Sequence, residues 1–350
     1  MPLTNWDEIP RRTDEPDFNN LLAVLQRQVP RRFTMFEFII NDRLLDRLAP
    51  RYDLSNPADL LRRNVRAFHR LGFDYTSVLI PGFSFTDKVI RRKAETVSLD
   101  EGAVIHNRKD FDAFPWPDPD IASYDIFDHI ADDLPGGMKL IPFSPDGVLE
   151  NVTNLVGFKG LIYMMRDDPQ LTEDIFDQVG TRLLRYYEKA LAYDCVGACI
   201  VNDDWGYQTS TLFSPATMRR YVFPWHKRIV EVCHKAGRPV VLHSCGRFDH
   251  IIEDIVEEMK FDGRHSYEDK IFPVEKAYEE YHNRIAILGG IDVDFIARSK
   301  PKEVYQRARL MLERVADRGG YALGTGNSVP EYVPDENYFA LIWAALDMRQ

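Results

Sequence analysis

The sequence predicts an α/β protein, a (β/α)₈ barrel with an N-terminal helical extension and an insertion after the second strand. Three observations carry this. Eight short apolar runs are each followed by a helix-like run, the rhythm of βα units. The 350 residues suit one large barrel. No glycine-rich dinucleotide fingerprint follows any of the strands, which disfavours an open doubly wound sheet. Residues 1–350 are therefore expected to form a single domain.

The extension comes first. Asp17 to Gln28 is a capped amphipathic helix, with Leu21, Leu22, Val24 and Leu25 on one face. Phe33 to Ile40 is the first strand, and Asn56-Pro57 opens a helix to His69 with proline in its first turn. Tyr75 to Ile80 is the second strand, ended by Pro81-Gly82. Residues 83–120 then break the rhythm. They hold alternating segments near Glu95 to Ile105 and the proline-punctuated Phe114 to Pro119, and read as a cover or subunit contact built around a hairpin.

The rhythm resumes with a helix from Ile121 to about Asp133 and a third strand, Lys139 to Phe143. Helices Leu149 to Met165 and Asp168 to Tyr193 follow, then a fourth strand, Cys199 to Asn202. Ser214-Pro215 caps a helix that runs to Ala236-Gly237, where the glycine stops it. The fifth strand, Pro239 to Leu242, has four apolar residues bounded by His243 and is read as buried on both faces. Asp249 to Met259 is its helix. Gly263 to Ser266, Ile285 to Gly290 and Tyr321 to Gly324 are the last three strands, with helices Pro301 to Arg318 and Pro334 to Met348.

Composition narrows the function. A net charge of −11 disfavours a nucleic-acid footprint, which needs a basic face. No apolar run is long enough to cross a bilayer. The first residues lack the basic start and apolar centre of a secretory signal, and four cysteines in 350 residues do not make a disulfide framework. A cytoplasmic protein with reduced thiols is expected. Cys195, Cys199 and Cys233 fall inside predicted elements and read as small core residues.

In such a barrel the strand C-termini open into one mouth, and chemistry is assembled there from several strands. That rule collects Glu37 or Asn41, Glu150, Asn202, Asp203 and Asp204, His243 and Cys245, His265 and Glu268, Asp292 and Asn327. His243 and Cys245 stand out because imidazole nitrogen and thiolate sulfur both ligate zinc, although a His-x-Cys pair is common by chance. Asp292 and Asp294 read as helix caps. Trp116, Trp205, Tyr207 and Tyr267 offer a substrate cleft, an ordinary hydrophobic rim or a dimer contact. His226 and His234, inside a predicted helix, are read as surface residues.

Several motifs in order then resemble one family: Gly157-Phe158-Lys159-Gly160 with Asp168-Pro169, Asp203-Asp204-Trp205-Gly206, Phe213-Ser214-Pro215 with Pro224-Trp225, and Val241 to Gly246. Gly289-Gly290-Ile291-Asp292 and Gly324-Thr325-Gly326 with Pro334 to Asn337 complete the set. From Leu149 to the C-terminus, and thinly before it, the chain resembles the uroporphyrinogen decarboxylase superfamily. That superfamily also holds zinc-dependent methyltransferases that act with corrinoid carriers, and its fold is a (β/α)₈ (TIM) barrel.

The resemblance implies two branches with different sites. The decarboxylase branch has an arginine-rich N-terminal loop and an aspartate ending the second strand; this chain has Arg31-Arg32-Phe33 and Val78 to Pro81 instead. The methyltransferase branch holds zinc with a His-x-Cys pair and a later cysteine. His243 and Cys245 match the pair, while the later cysteine falls near Thr325 and is absent. A carboxylate is then expected to complete the site, Glu150 first and Asp203 or Asp204 second.

The expectation is a zinc-dependent methyltransferase moving a methyl group between a small methylated donor, such as a methoxy compound, and a corrinoid protein or thiol. His243, Cys245 and Glu150 are its expected metal ligands. Glu150, Asp203 and Tyr207 are the expected catalytic residues, and Asn202, Trp205, His265 and Asn327 the expected substrate contacts. The resemblance also implies a homodimer. The alternatives are a uroporphyrinogen decarboxylase with an altered site and a non-catalytic barrel that binds a tetrapyrrole or corrinoid.

Overall fold

A computed structural model of the chain describes residues 5–12, 14–86 and 102–349. Its strands are β1 (Tyr75–Leu79), β2 (Lys139–Phe143), β3 (Cys199–Asn202), β4 (Val240–His243), β5 (Gly263–His265), β6 (Ala286–Leu288) and β7 (Tyr321–Ala322). All pairings between them are parallel, β1 with β2 and then β3 through β7 in sequence order. A parallel bridge between Leu140 and Val196 joins the two groups. The strands are apolar and buried: Ile200, Val201, Val240, Val241, Leu242, Ile287 and Leu288 are all at most 1% exposed, as strands covered on both faces require.

The expected first strand departs from the prediction. Phe33 to Ile40 forms only isolated parallel bridges, Met35 to Leu323 and Ile40 to Val329. On its other side the Tyr75 hydroxyl accepts from the Glu37 amide at 2.7 Å and donates to the Glu37 carbonyl at 2.6 Å. A side chain thus occupies the backbone groups that a ladder to β1 would use, and among the described residues no backbone ladder links this segment to β1.

Several helices are shorter or divided. The extension helix is Asn19–Leu25, and that before β1 is Pro57–Leu71 with Gly72 at φ 92° as its stop. Gly157, at φ 80°, splits the helix expected after β2 into Val148–Val156 and Phe158–Asp167. Pro169–Ala190 and Asp335–Asp347 match expectation closely. The helix from Ser214 breaks at Val222, and Asp249–Ile251 with Asp254–Glu258 replaces the regular helix expected after β4. Short helices at Asp42–Leu48, Arg108–Ala113, Val274–Tyr281 and Val293–Arg298 were not anticipated.

Asn41 caps the first of these through its side chain, and Asp292 caps the last, as expected. Within the insertion, the hairpin expected near Glu95 to Ile105 lies largely outside the described residues. Val104 and Ile105 donate to the Leu155 carbonyl rather than pairing in a strand. No helix among the described residues is long and apolar enough to cross a membrane.

Candidate metal centre

Parallel register brings three strand ends to one level. Asn202 on β3 pairs with His243 on β4, and His243 with His265 on β5. The loops leaving β3 and β4 are then tied together. Asp203 N–H donates to the His243 carbonyl at 3.0 Å, Trp205 N–H to the Ser244 hydroxyl at 3.2 Å, and Cys245 N–H to the Asp204 carboxylate at 3.1 Å. Gly246 makes the crossing possible. It sits at φ 116°, and a Cβ there would stand 2.7 Å from the Gly206 backbone.

These ties bring an oxygen of Asp204, a nitrogen of His243 and the sulfur of Cys245 within 4.8 Å of one another. Asp204 is exposed, Cys245 partly buried and His243 buried, so the group opens to solvent on one side. Burial pushes the Cys245 thiol up to about 12, with the Asp204 charge adding to it. Burial first, then neighbouring His265 and the charge of Arg264, holds His243 well below the usual imidazole range, which leaves it neutral with a lone pair. The Asn327 side-chain amide donates to the Cys245 sulfur at 3.2 Å.

The neighbouring carboxylates divide into separate roles. Asp203 is completely buried and accepts from four donors: the amides of Leu149 and Glu150, the Trp205 indole at 2.9 Å and His226 Nε2 at 2.8 Å. It satisfies amides in the first turn of the Val148–Val156 helix and is not one of the three residues that converge. Glu150 accepts from the Gly147 amide at 3.1 Å. Burial, then the charges of Asp203, Asp204 and Asp146, raises it well above the usual carboxylate range. Among the described residues it is Asp204, the second-choice carboxylate, that joins His243 and Cys245.

Other expected contacts are placed differently from the reading of the sequence. Trp205 is fully buried on Asp203, and Tyr267 is buried against Arg264 and borders a cavity of just about 10 Å³. His226 is buried rather than on the surface, and its Nδ1 has no partner. His234 is exposed, as expected, and pairs with Asp262. His265 is buried, with Nδ1 at 2.7 Å from His243 Nδ1 and Nε2 at 3.0 Å from the Thr325 carbonyl. Tyr207 is exposed, and Asn202 presents a buried Oδ1 without a partner.

Beneath the group lies a link that the sequence reading left as an option. Glu37 is completely buried, with Oε1 accepting from the Thr325 amide at 2.9 Å and Oε2 at 2.6 Å from its hydroxyl. Burial pushes its carboxyl up to about 8. The Thr325 hydroxyl also faces the Asn327 carbonyl. With one proton and two acceptors to serve, it donates to the carbonyl and receives from a protonated Glu37. Beside His243, Phe38 packs at 4.4 Å between ring centres and then on Phe143. Phe143 borders a cavity of about 510 Å³ lined also by Ile39, Leu79 and Pro81.

Comparison with known proteins places this geometry. No curated protein matches the chain. Among solved structures, a methyltransferase from Methanosarcina mazei matches with a TM-score of 0.69 at 18% identity, over 95% of this chain and 98% of that one. That likeness establishes the fold. A psychrophilic glycoside hydrolase family 10 endo-β-1,4-xylanase has a TM-score of 0.39 at 14% identity, over 63% and 80% of the two chains. A xylose isomerase-like TIM barrel protein from Mycobacterium smegmatis has 0.42 at 12%, over 91% and 98%. Both are too distant in geometry to bear on the site. The family model described as uroporphyrinogen decarboxylase (URO-D) matches residues 92–347, further towards the N-terminus than the motifs alone suggested, and the chain therefore belongs to the uroporphyrinogen decarboxylase family.

Proposed function

We propose that this chain is a zinc-dependent methyltransferase, moving a methyl group from a small methylated compound, such as a methoxy compound, to the corrinoid of a partner protein. The observation that carries the reading is the convergence of Asp204, His243 and Cys245. Their oxygen, nitrogen and sulfur suit zinc, and three protein ligands leave the open position of a catalytic site. A neutral imidazole, a carboxylate and a thiol beside it form a donor set whose charge a cation balances. The methyltransferase from Methanosarcina mazei, alike over nearly the whole chain, adds to this reading.

Zinc held there supplies Lewis acidity towards a methoxy oxygen or a thiol acceptor. Glu150, kept protonated by burial and neighbouring charge, delivers its proton to the oxygen as the carbon–oxygen bond breaks and the methyl carbon bonds to the partner's nucleophile. The unpaired Oδ1 of Asn202 and the rim residue Tyr207 are the remaining substrate contacts. Asp203, Trp205 and His265 act one step removed by holding loops and ligands in place. The end of β1 is apolar, with Leu79 exposed, and offers no carboxylate to pyrrole N–H groups, which argues against decarboxylation of a porphyrinogen.

The test is metal analysis of the purified full chain, followed by methyl transfer to a reduced corrinoid with a panel of methoxy compounds. One zinc per chain, lost in Cys245→Ser, is expected. A chain without zinc, zinc content unchanged by Cys245→Ser, or turnover of uroporphyrinogen instead of methyl donors overturns the proposal.

A further inference from the structure

A second site lies where the strands begin. A cavity of about 620 Å³ is lined by Arg11, Arg12, Arg66, His69, Arg70 and Tyr52, with no carboxylate in its wall among the described residues. The chain carries a net charge of −11, so four guanidinium groups around one cavity are not a by-product of composition. Arg12 is anchored by donating to the Phe73 carbonyl at 3.1 Å, just before β1. Its side chain is only 8% exposed, and its Nη2 is buried without a hydrogen-bond partner, 3.6 Å from Asp14 and 3.9 Å from Asp74. Arg70 is held by the Leu48 carbonyl. Arg11 and Arg66 make no ion pair or hydrogen bond among the described residues.

Arginines near helix C-termini can serve simply to offset the helix dipole, and Arg70, in the last turn of Pro57–Leu71, fits that role. The role does not extend to Arg11, which lies in no helix. Nor does it explain the crowding: Asp14 and Asp74 offset Arg12, but Arg11, Arg66 and Arg70 have no ion-pair partner among the described residues, and like charges so placed repel. Burial first, then the charges of Arg12 and Arg66, hold His69 below the usual imidazole range, with Glu15 opposing them.

We propose that this cavity binds a small anion bearing two adjacent phosphate groups. Guanidinium forks match phosphate oxygens in pairs, and several forks around one cavity suit a diphosphate better than a single carboxylate. Tyr52 on the same wall gives a planar body attached to the diphosphate a surface to lie against. The site is independent of the metal centre, which lies where the strands end.

The experiment is calorimetric titration of the full chain, at physiological ionic strength, with pyrophosphate, ADP, inorganic phosphate and tricarballylate. The variants Arg11→Gln and Arg66→Gln are titrated in parallel. Both positions are exposed and unpaired, so folding, checked by circular dichroism, stays intact. Pyrophosphate or ADP is expected to bind with a dissociation constant below about 1 mM, weakening at least about tenfold in each variant. Tighter binding of ADP, lost in Tyr52→Ala, identifies a nucleotide; equal binding identifies the free diphosphate, and either supports the site. Absence of binding, equal affinity in both arginine variants, or tricarballylate binding more tightly than the diphosphates overturns it.

Discussion

His243 and His265 face each other Nδ1 to Nδ1 at 2.7 Å, and that contact determines which nitrogen of His243 is left for a metal. The other end of His265 points at the Thr325 carbonyl, which can only accept, so His265 Nε2 carries a proton. Burial lowers His265 to about 4 and keeps it neutral. Its Nδ1 is then a bare acceptor, His243 Nδ1 must donate to it, and His243 Nε2 keeps its lone pair. A hydrogen bond of this kind, one step behind a ligand, sets both tautomer and ring orientation.

Removing that hydrogen bond should loosen the metal without touching a ligand. His265→Leu is expected to lower zinc affinity by about 10- to 100-fold in chelator competition. His265→Gln, whose carbonyl accepts from His243 and whose amide donates to Thr325, should restore most of it. Unchanged affinity in the leucine variant would sink the tautomer argument.

Two adjacent carboxylates should respond in opposite ways. Asp203 satisfies four buried donors, and Asp203→Asn places an amide N–H where acceptors are needed. A loss of about 2–4 kcal/mol in urea denaturation is expected. Asp204 is exposed, and asparagine there can still accept from Cys245 N–H. Asp204→Asn should leave stability within about 0.5 kcal/mol and weaken zinc at least about tenfold. Equal effects of the two substitutions on zinc and on stability would refute this division of labour.

This division also marks how far the sequence could be read. The strand cores were legible because Ile200-Val201, Val240 to Leu242 and Ile285 to Leu288 are apolar runs of strand length with clear ends. His243 and Cys245 were legible because their side chains carry ligand chemistry wherever they stand. The choice of carboxylate was not, since Asp203 and Asp204 differ only in which way an extended loop turns each side chain. That direction is set by Gly147 and Leu149 on another element. His226 did leave a signal: it shares a helical stripe with Ile229, Val230 and Cys233, all buried. Glu37 was legible only as an alternative to Asn41 at a strand end, and its pairing was not, because its partner Thr325 is 288 residues away.

Glu37 should make stability fall as pH rises. Its folded value, near 8, lies above that of an exposed glutamate, so the native state binds more protons than the unfolded chain between about pH 4.5 and 8. The contribution is fully present below the lower value and is lost as pH climbs to the upper one. The slope is at most about 1.4 kcal/mol per pH unit. Glu37→Gln keeps the geometry of the protonated acid and should match the parent at pH 5 while exceeding it at pH 8. Parallel denaturation profiles for the two proteins across that range would show that Glu37 ionises freely.

Tyr75→Phe tests the seam between the first segment and β1. The phenol oxygen both accepts from and donates to the Glu37 backbone, deep in a core where Tyr75 and Phe36 stack at 5.6 Å. Phenylalanine preserves that stacking and fills the same space, so the apolar contribution is nearly unchanged. The buried amide and carbonyl of Glu37 then both lose the Tyr75 hydroxyl as partner. Each such group costs about 1–3 kcal/mol, so a loss of about 2–6 kcal/mol is expected in urea denaturation. Amide exchange should also accelerate around Met35 to Ile40 more than in β3 or β4, because only this segment is held by a side chain where a strand would be held by a ladder. A stability change below about 0.5 kcal/mol would mean the segment finds backbone partners on β1 once the hydroxyl is gone.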